Sequence, residues 1–280
     1  MEIDMLTAEN ATESLIKLTN IKRKDFEKYK NEYKDGYWEI NKFLDYFNYV
    51  DLDSIDLENI KIKGEHCTTN SDRCEEIKRH GIKGICYLLR NDSEIKSFLE
   101  ENDIKIDIEK EVLLSKNEAI KLNSLNRVKF RILNDNDVNI FLMRDAYQSY
   151  CSVIEESPEI FRTIDLELET ELVKKWSKRK NVKKYILTVL ADIVNFSLRD
   201  TIVADEEVMS MCEGKKYIYE ILGNKEVEDG VKKWIIVRLM LVILSGERPN
   251  DSLFGFIDGE KGIYPEDIIE IKEMNVGYTI

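Results

Sequence analysis

The sequence predicts an α+β protein, in which a helical N-terminal region precedes a mixed, mainly antiparallel sheet with packed helices. Two observations predict this class. Segments in which apolar residues recur every three or four positions are mixed with segments in which they alternate with polar ones, and these periods are typical of helices and strands. The two kinds of segment do not follow the regular strand–helix order of a parallel sheet. We place a boundary between a helical region over residues 1–55 and an α+β core domain over residues 56–280.

Helical periodicity dominates the N-terminal region. Residues 7–18 carry apolar side chains at Ala11, Leu15 and Leu18, which share one helix face. Phe26 and Tyr29 continue this spacing, and further aromatic residues follow at similar intervals. We expect these aromatic side chains to form a core stripe, because the acidic neighbours that follow would repel a nucleic-acid backbone.

The pattern changes at residue 60. Residues 60–66 alternate between apolar and polar, which predicts a strand. Asn70 or Ser71 can cap a helix that runs through Ile77 and stops at Gly81. Two more helices are predicted over residues 85–90 and from Asp92 or Ser93 to about residue 99.

Later segments contain both kinds of signal. Alternation predicts strands over residues 104–108, 128–132 and 139–143, the last two forming a hairpin around the turn residues 134–137. Pro158 opens a helix whose apolar positions continue to Trp176. Residues 185–196 and 234–244 fit either a strand or a buried helix, and residues 268–271 form a final apolar segment.

Composition and charge indicate a globular cytoplasmic protein. Hydrophobic residues make up 43% of the chain and charged residues 35%. The most apolar run, residues 234–244, contains Arg238 and is too short to cross a bilayer, which takes roughly 20 residues. Residues 1–5 lack the basic residues of a secretory signal, and five cysteines in a chain this long fit a reducing compartment. Richness in Lys, Asn, Ile, Glu and Tyr indicates a bacterial or phage protein.

A net charge of −13 argues against general nucleic-acid binding, since phosphates need cationic partners. The same negative charge would favour binding to a basic protein partner.

The most promising functional residue is His66, at the end of the predicted strand. Strand parity places it on the same face as Ile60 and Ile62. The hydroxyl groups of Thr68 and Thr69 follow it, and the next helix would offer backbone N–H groups to a phosphate. The alternative is a structural histidine whose ring binds a backbone carbonyl.

Two motifs in residues 60–82 carry a resemblance. The first is His66-Cys67-Thr68, and the second is Ile77-Lys78-Arg79-His80-Gly81-Ile82. Together they resemble the ADP-ribosyltransferase-like family of the histidine class, whose core often begins with a strand ending in His-x-Thr and a helix with an Ile-x-x-x-Gly-Ile ending. The resemblance implies a split antiparallel sheet that binds NAD.

The same resemblance implies roles for individual residues. His66 would contact the nicotinamide ribose, Thr68 and Thr69 would help to bind the cofactor, and Tyr147 would stack on the nicotinamide. Glu228 and Glu270 are the candidates for a catalytic glutamate. The implied activity is binding of NAD or a related nucleotide, with transfer of ADP-ribose to a protein or nucleic acid, or hydrolysis of NAD.

Two other functions stay open. In the first, the chain is a non-enzymatic acidic interaction protein, such as an inhibitor or an anti-defence or antitoxin-type partner. Alternatively, it would be a structural zinc-binding module, since the sequence clusters His66, Cys67, Cys74, His80 and Cys86. This spacing matches no familiar zinc motif.

Two charge clusters are also conspicuous. The cations between residues 174 and 184 would bind a phosphate-rich ligand or an acidic partner, or form a solvated helix end. Glu167, Glu169 and Glu171 form a Glu-x-Glu-x-Glu pattern, and such a pair is catalytic in some ADP-ribosyltransferases. Because this one falls within a helical pattern, we expect it to be a solvated face.

Overall fold

The computed structural model describes residues 1–33, 39–116, 118–144, 146, 157–245 and 253–274. Its helices are α1 (Ala8–Thr19), α2 (Arg23–Glu32), α3 (Ile40–Tyr46), α4 (Glu75–His80), α5 (Ile85–Arg90), α6 (Glu94–Glu101), α7 (Asn126–Leu133), α8 (Glu159–Leu168), α9 (Leu172–Ser177), α10 (Glu206–Ser210) and α11 (Lys225–Ser245). Its strands are β1 (Glu2–Asp4), β2 (Lys61–Asn70), β3 (Ile104–Asp107), β4 (Val112–Ser115), β5 (Glu118–Lys121), β6 (Val138–Phe141), β7 (Lys183–Asp192), β8 (Phe254–Ile257) and β9 (Ile268–Glu273). Short 3₁₀ turns connect several of these elements.

The strands form two sheets, and together with the packed helices they confirm the predicted α+β class. The larger sheet has the order β8-β6-β2-β7-β9, with β1 also paired to β2. β1 runs parallel to β2, whereas β9 runs antiparallel to β7. The smaller sheet, β3-β4-β5, is antiparallel throughout. The central strand β2 therefore has neighbours on both sides, and it carries His66.

The chain divides into two compact units. Unit 1 comprises Met1–Gly64, Phe141–Ala146 and Leu190–Phe256, and unit 2 comprises Glu65–Ile140, Tyr147–Val189 and Ile257–Ile280. The predicted boundary between residues 55 and 56 stays a prediction. Within unit 1, the predicted N-terminal helix α1 packs along α11.

Each unit has an aromatic cluster in its core. In unit 1 the ring of Tyr29 lies edge-on to that of Phe43, with 5.6 Å between ring centroids. In unit 2 Phe98 and Phe161 each pack against the fully buried Trp176, at centroid distances of 5.0 and 5.2 Å. Edge-to-face packing of this kind is favourable for aromatic pairs. Phe26, Tyr29 and Phe43 are thus core residues, as the spacing predicted.

The strand predicted over residues 128–132 is wrong, because this segment lies in α7. Val128 and Ile132 are buried, whereas Phe130 is exposed. Residues four apart share a face in a helix and also in a strand, so the two buried positions fit both periods. Only the exposure of Phe130, which a strand would place beside them, separates the two structures.

The single helix predicted from Pro158 to Trp176 is also wrong, because the chain forms two helices, α8 and α9. Glu169 ends α8 in the left-handed conformation, with φ of 51°. The carboxylate of Asp165 then accepts hydrogen bonds from the backbone N–H groups of Leu172 and Val173, at 2.7 and 2.9 Å. Asp165 therefore caps the start of α9 from the preceding helix.

The strand predicted to end at His66 is longer, because β2 continues to Asn70. His66 therefore lies within the strand and not at its end. The first turn of α4 is capped by Asp72 and not, as expected, by Asn70 or Ser71.

The other predictions hold with small changes. Residues 85–90 are α5, and Ser93 caps α6 by accepting from the N–H of Lys96. Of the two ambiguous segments, residues 185–192 lie in β7 and residues 234–244 lie in α11. The N-terminal region is not purely helical, because residues 2–4 form β1. Residues 138–141 are a strand, although their expected hairpin partner is helical.

None of the helices within the described ranges has the length and apolar character needed to span a membrane.

Candidate functional site

His66 lies on β2 in unit 2, with a half-buried side chain. Its Nδ1 is 2.8 Å from the backbone carbonyl oxygen of Asn139 on β6. Since a carbonyl only accepts hydrogen bonds, Nδ1 carries the proton. In the neutral ring Nε2 is then unprotonated and can accept a hydrogen bond or a proton.

The protonation of His66 is controlled mainly by its surroundings. Burial lowers the pKa of His66 below its ordinary value of 6.5, because the imidazolium cation loses hydration. The hydrogen bond to Asn139 acts in the opposite direction and is the smaller effect. The ring is therefore neutral near pH 7. This arrangement contains the carbonyl contact expected of a structural histidine, and it also leaves Nε2 as an acceptor.

The two threonines after His66 lie on opposite faces of the strand. β2 continues to Asn70, so alternation places Thr68 on the face of His66 and Thr69 on the other. No hydrogen bond joins Thr68 to His66, both of which are described. Thr69 is only 5% exposed, and within the described ranges its Oγ1 has no hydrogen-bond partner. The three residues therefore do not form one contiguous set.

The expected phosphate site at the next helix is wrong. α4 has only six residues and begins at Glu75. The carboxylate of Asp72 accepts from the N–H groups of Glu75 and Glu76, at 3.1 and 2.7 Å. The Asn70 side chain accepts from the N–H of Cys74 at 3.1 Å. Side chains of the chain itself thus occupy the N–H groups that a phosphate would need.

The other residues assigned by resemblance have different outcomes. Tyr147 lies outside the described residues, so its predicted role stays a prediction. Glu228 lies on α11 in unit 1, where its carboxylate accepts from the N–H of Gly223 at 2.7 Å. Glu270 is exposed on β9, which β7 separates from β2. A catalytic glutamate is therefore not identified among the described residues.

The cysteine and histidine cluster is not gathered into a metal site. Cys86 is buried, and its Sγ donates to the backbone carbonyl of Ile132 at 2.9 Å. Cys74 is fully buried, and burial raises the pKa of its thiol to about 11. His80 is exposed at the end of α4. Across the described residues, which include all five of the cluster, no three His, Cys, Asp or Glu side chains are placed to hold a metal ion.

The acidic pattern between the end of α8 and the start of α9 is only partly a solvated face. Glu167 accepts from the backbone N–H groups of Arg127 and Val128, at 2.9 and 3.1 Å, and so caps the start of α7. Glu169 is exposed, and Glu171 forms an ion pair with Lys174. The Glu-x-Glu-x-Glu pattern therefore has structural contacts at two of its three positions.

The cations between residues 174 and 184 do not form one uniform patch. Lys174 pairs with Glu171, and Lys183 pairs with Glu273. Arg179 pairs with Glu101 and lies over the ring of Phe98, 4.7 Å from its centroid. Such pairs reduce the charge that a ligand would meet.

Sequence reasoning missed Lys83, which lies between two aromatic rings. Its ammonium is 5.3 Å from the ring centroid of Tyr87 and 5.2 Å from that of Tyr264. Burial lowers the pKa of Lys83. Its Nζ donates to the backbone carbonyl of Lys261, so the contact joins two loops of unit 2. No local pattern reveals this site, because Tyr264 is distant in sequence.

Comparisons with known proteins give no relative for this chain. No protein-family model matches it, and no curated protein and no solved structure matches it.

Proposed function

We propose that the chain is an ADP-ribosyltransferase-like protein that binds NAD or a related nucleotide at His66. The observation that carries this proposal is the neutral, half-buried imidazole whose Nδ1 donates to Asn139. Nε2 is then oriented by the sheet and can accept a hydrogen bond from a ribose hydroxyl. The His-x-Thr motif on a strand of a mainly antiparallel sheet supports the same function.

The proposed reaction is transfer of ADP-ribose to a protein or nucleic-acid acceptor, or to water. The bond between the ribose C1′ and the nicotinamide nitrogen breaks, and nicotinamide leaves with the bonding electron pair. The acceptor forms the new bond to C1′ and loses its proton to solvent or to a base. In this scheme His66 is a binding residue that orients the ribose, and Tyr147 stacks on the nicotinamide.

A calorimetric titration with NAD tests the binding step. We expect the wild-type protein to bind NAD and the variant His66→Asn to lose most of this affinity. The asparagine amide can still donate to the Asn139 carbonyl, so this variant keeps the structural contact while it removes Nε2. His80→Asn is the matched control, because His80 is exposed on α4. Absence of NAD binding in the wild type, or equal binding in His66→Asn, would overturn the proposal.

A non-enzymatic interaction protein is the second candidate. The capped start of α4 favours it, since the strand–helix junction offers no open anion site at these N–H groups. The net charge of −13 makes a basic protein the expected partner. A pull-down from bacterial lysate at low and high salt tests this candidate, because electrostatic capture weakens as salt rises. Failure to retain any salt-sensitive partner would count against it.

A further inference from the structure

A groove of about 300 Å³ lies on unit 2 between α7 and α8. Asn126, Arg127, Phe130 and Arg131 line it from α7, and Thr163 lines it from α8. Its volume is at the lower end of the range for small-molecule sites, roughly 300–1,000 Å³. None of these residues belongs to the His66 site or to the segments that resemble a known family.

Phe130 supplies an exposed aromatic face in this groove. Its side chain is 56% exposed, whereas Val128 and Ile132 on the same helix are buried in the core. The ring of Phe130 is therefore not needed to pack α7 against the rest of unit 2. A flat ring in a groove is a surface on which another aromatic ring can stack.

The two arginines of the groove are in different states. Arg131 pairs through Nη1 with Asp135 and through Nη2 with Glu159, so its guanidinium is held in place. Arg127 is exposed, and no described carboxylate lies within ion-pair distance of its guanidinium. The carboxylate of Glu167 is close to Arg127 in the fold, but it binds backbone N–H groups of α7.

The cation that this groove offers to a ligand is therefore Arg127, because the carboxylates of Asp135 and Glu159 offset the charge of Arg131. The groove is lined by two guanidinium groups and no carboxylate, in a protein of net charge −13. The guanidinium fork of Arg127 fits a phosphate with two parallel hydrogen bonds. The exposed amide of Asn126 offers both a donor and an acceptor, which matches the edge of an adenine base.

We propose that this groove binds a small molecule of the nucleoside monophosphate class. The phosphate pairs with Arg127, the base stacks on Phe130, and Asn126 contacts the base edge. A long nucleic acid is not the expected ligand of this groove, because the acidic surface of the chain would repel the nucleic-acid backbone.

Calorimetric titrations with AMP, adenosine and inorganic phosphate test the proposal. We expect AMP to bind, and adenosine and phosphate each to bind more weakly, because each lacks one of the two contacts. Arg127→Gln and Phe130→Ala should each weaken AMP binding by about tenfold or more. Arg162→Gln is the matched control, since Arg162 is an exposed arginine of α8 outside the groove lining. It should change the affinity for AMP less than about twofold.

Three outcomes would overturn this site. The first is that millimolar AMP does not bind, and the second is that Arg127→Gln binds AMP as the wild type does. The third is that phosphate binds as tightly as AMP and Phe130→Ala has no effect, which would indicate a simple anion site. His66→Asn distinguishes this groove from the nucleotide site proposed at His66. Loss of AMP binding in that variant, without loss in Arg127→Gln, would place the nucleotide at His66 instead.

Discussion

The substitution Gly84→Ala should lower the free energy of unfolding by about 3–5 kcal/mol, although it adds a single methyl group. A Cβ atom at position 84 would lie 2.1 Å from the backbone oxygen of Asn136 and 2.7 Å from the Cα of Gly259. Both atoms belong to the backbone, so neither can move away as a flexible side chain would. The backbone φ of Gly84 is −70°, so alanine meets no conformational strain there and the clash alone causes the effect.

The predicted loss of stability follows from the backbone contacts that must separate to make room for the methyl group. Overpacking of a close contact costs about 1–3 kcal/mol. The N–H of Gly84 donates to Gly259 at 2.8 Å, and the N–H of Cys86 donates to the side chain of Asn136 at 2.7 Å. Weakening these two hydrogen bonds adds about 1 kcal/mol each.

Urea denaturation followed by fluorescence measures this loss. Gly214→Ala is the control, because a Cβ atom there meets nothing within 4 Å while the φ of +76° brings only conformational strain. That strain costs about 1–2 kcal/mol. The steric reasoning would be refuted if Gly84→Ala cost less than about 1 kcal/mol or no more than Gly214→Ala.

Three further predictions concern single side chains. The pKa of His66 should lie below 6.5 in the folded protein. The stability that this residue contributes is therefore complete above pH 6.5 and is lost as the pH falls through the lower folded pKa. An NMR titration assigned with His66→Asn checks this, and a midpoint at or above 6.5 contradicts it. Glu167→Gln should cost about 1 kcal/mol in urea denaturation, because a charged cap of α7 is lost. The exposed Glu171→Gln should change stability little, and equal effects of the two variants would contradict the capping role. Cys74 should resist alkylation in the native protein at pH 8 but react after denaturation. With a pKa of about 11, only about one thiol in a thousand is ionised at this pH. Rapid alkylation of the native protein, detected by mass spectrometry, would disprove this.

The accuracy of the sequence predictions depended on how local the determining contacts are. The helix ending at Gly81 was predicted, and Ser93 was one of the two predicted caps of α6, because both ends are set by residues within one helical turn. The strand through His66 was predicted from its alternation for the same reason. In α7 the pattern was ambiguous, since Val128 and Ile132 are four apart and fit both periods.

The candidate site was predictable only in part. The sequence indicated His66 as a strand residue beside polar groups, but the partner of its Nδ1, Asn139, is 73 positions away. The capping of α4 by Asp72 was local, yet several side chains near Asn70 could have taken that role. The choice between them depends on backbone geometry, which residue types alone do not specify.

By itself, the sequence determined the α+β class, the acidic charge and the positions of some elements, such as helices α1, α5 and α6 and strands β2 and β3, because periodicity and end signals act over a few residues. Only the tertiary structure decided that the α4 amides are already capped, that His66 keeps Nε2 as its acceptor, and that Phe130 and Arg127 line one groove. The contact of His66 with Asn139 arises where strands distant in the chain meet. The caps of α4 and the residues of α7 that line the groove are close in sequence, but their placement depends on backbone geometry that residue types alone do not specify.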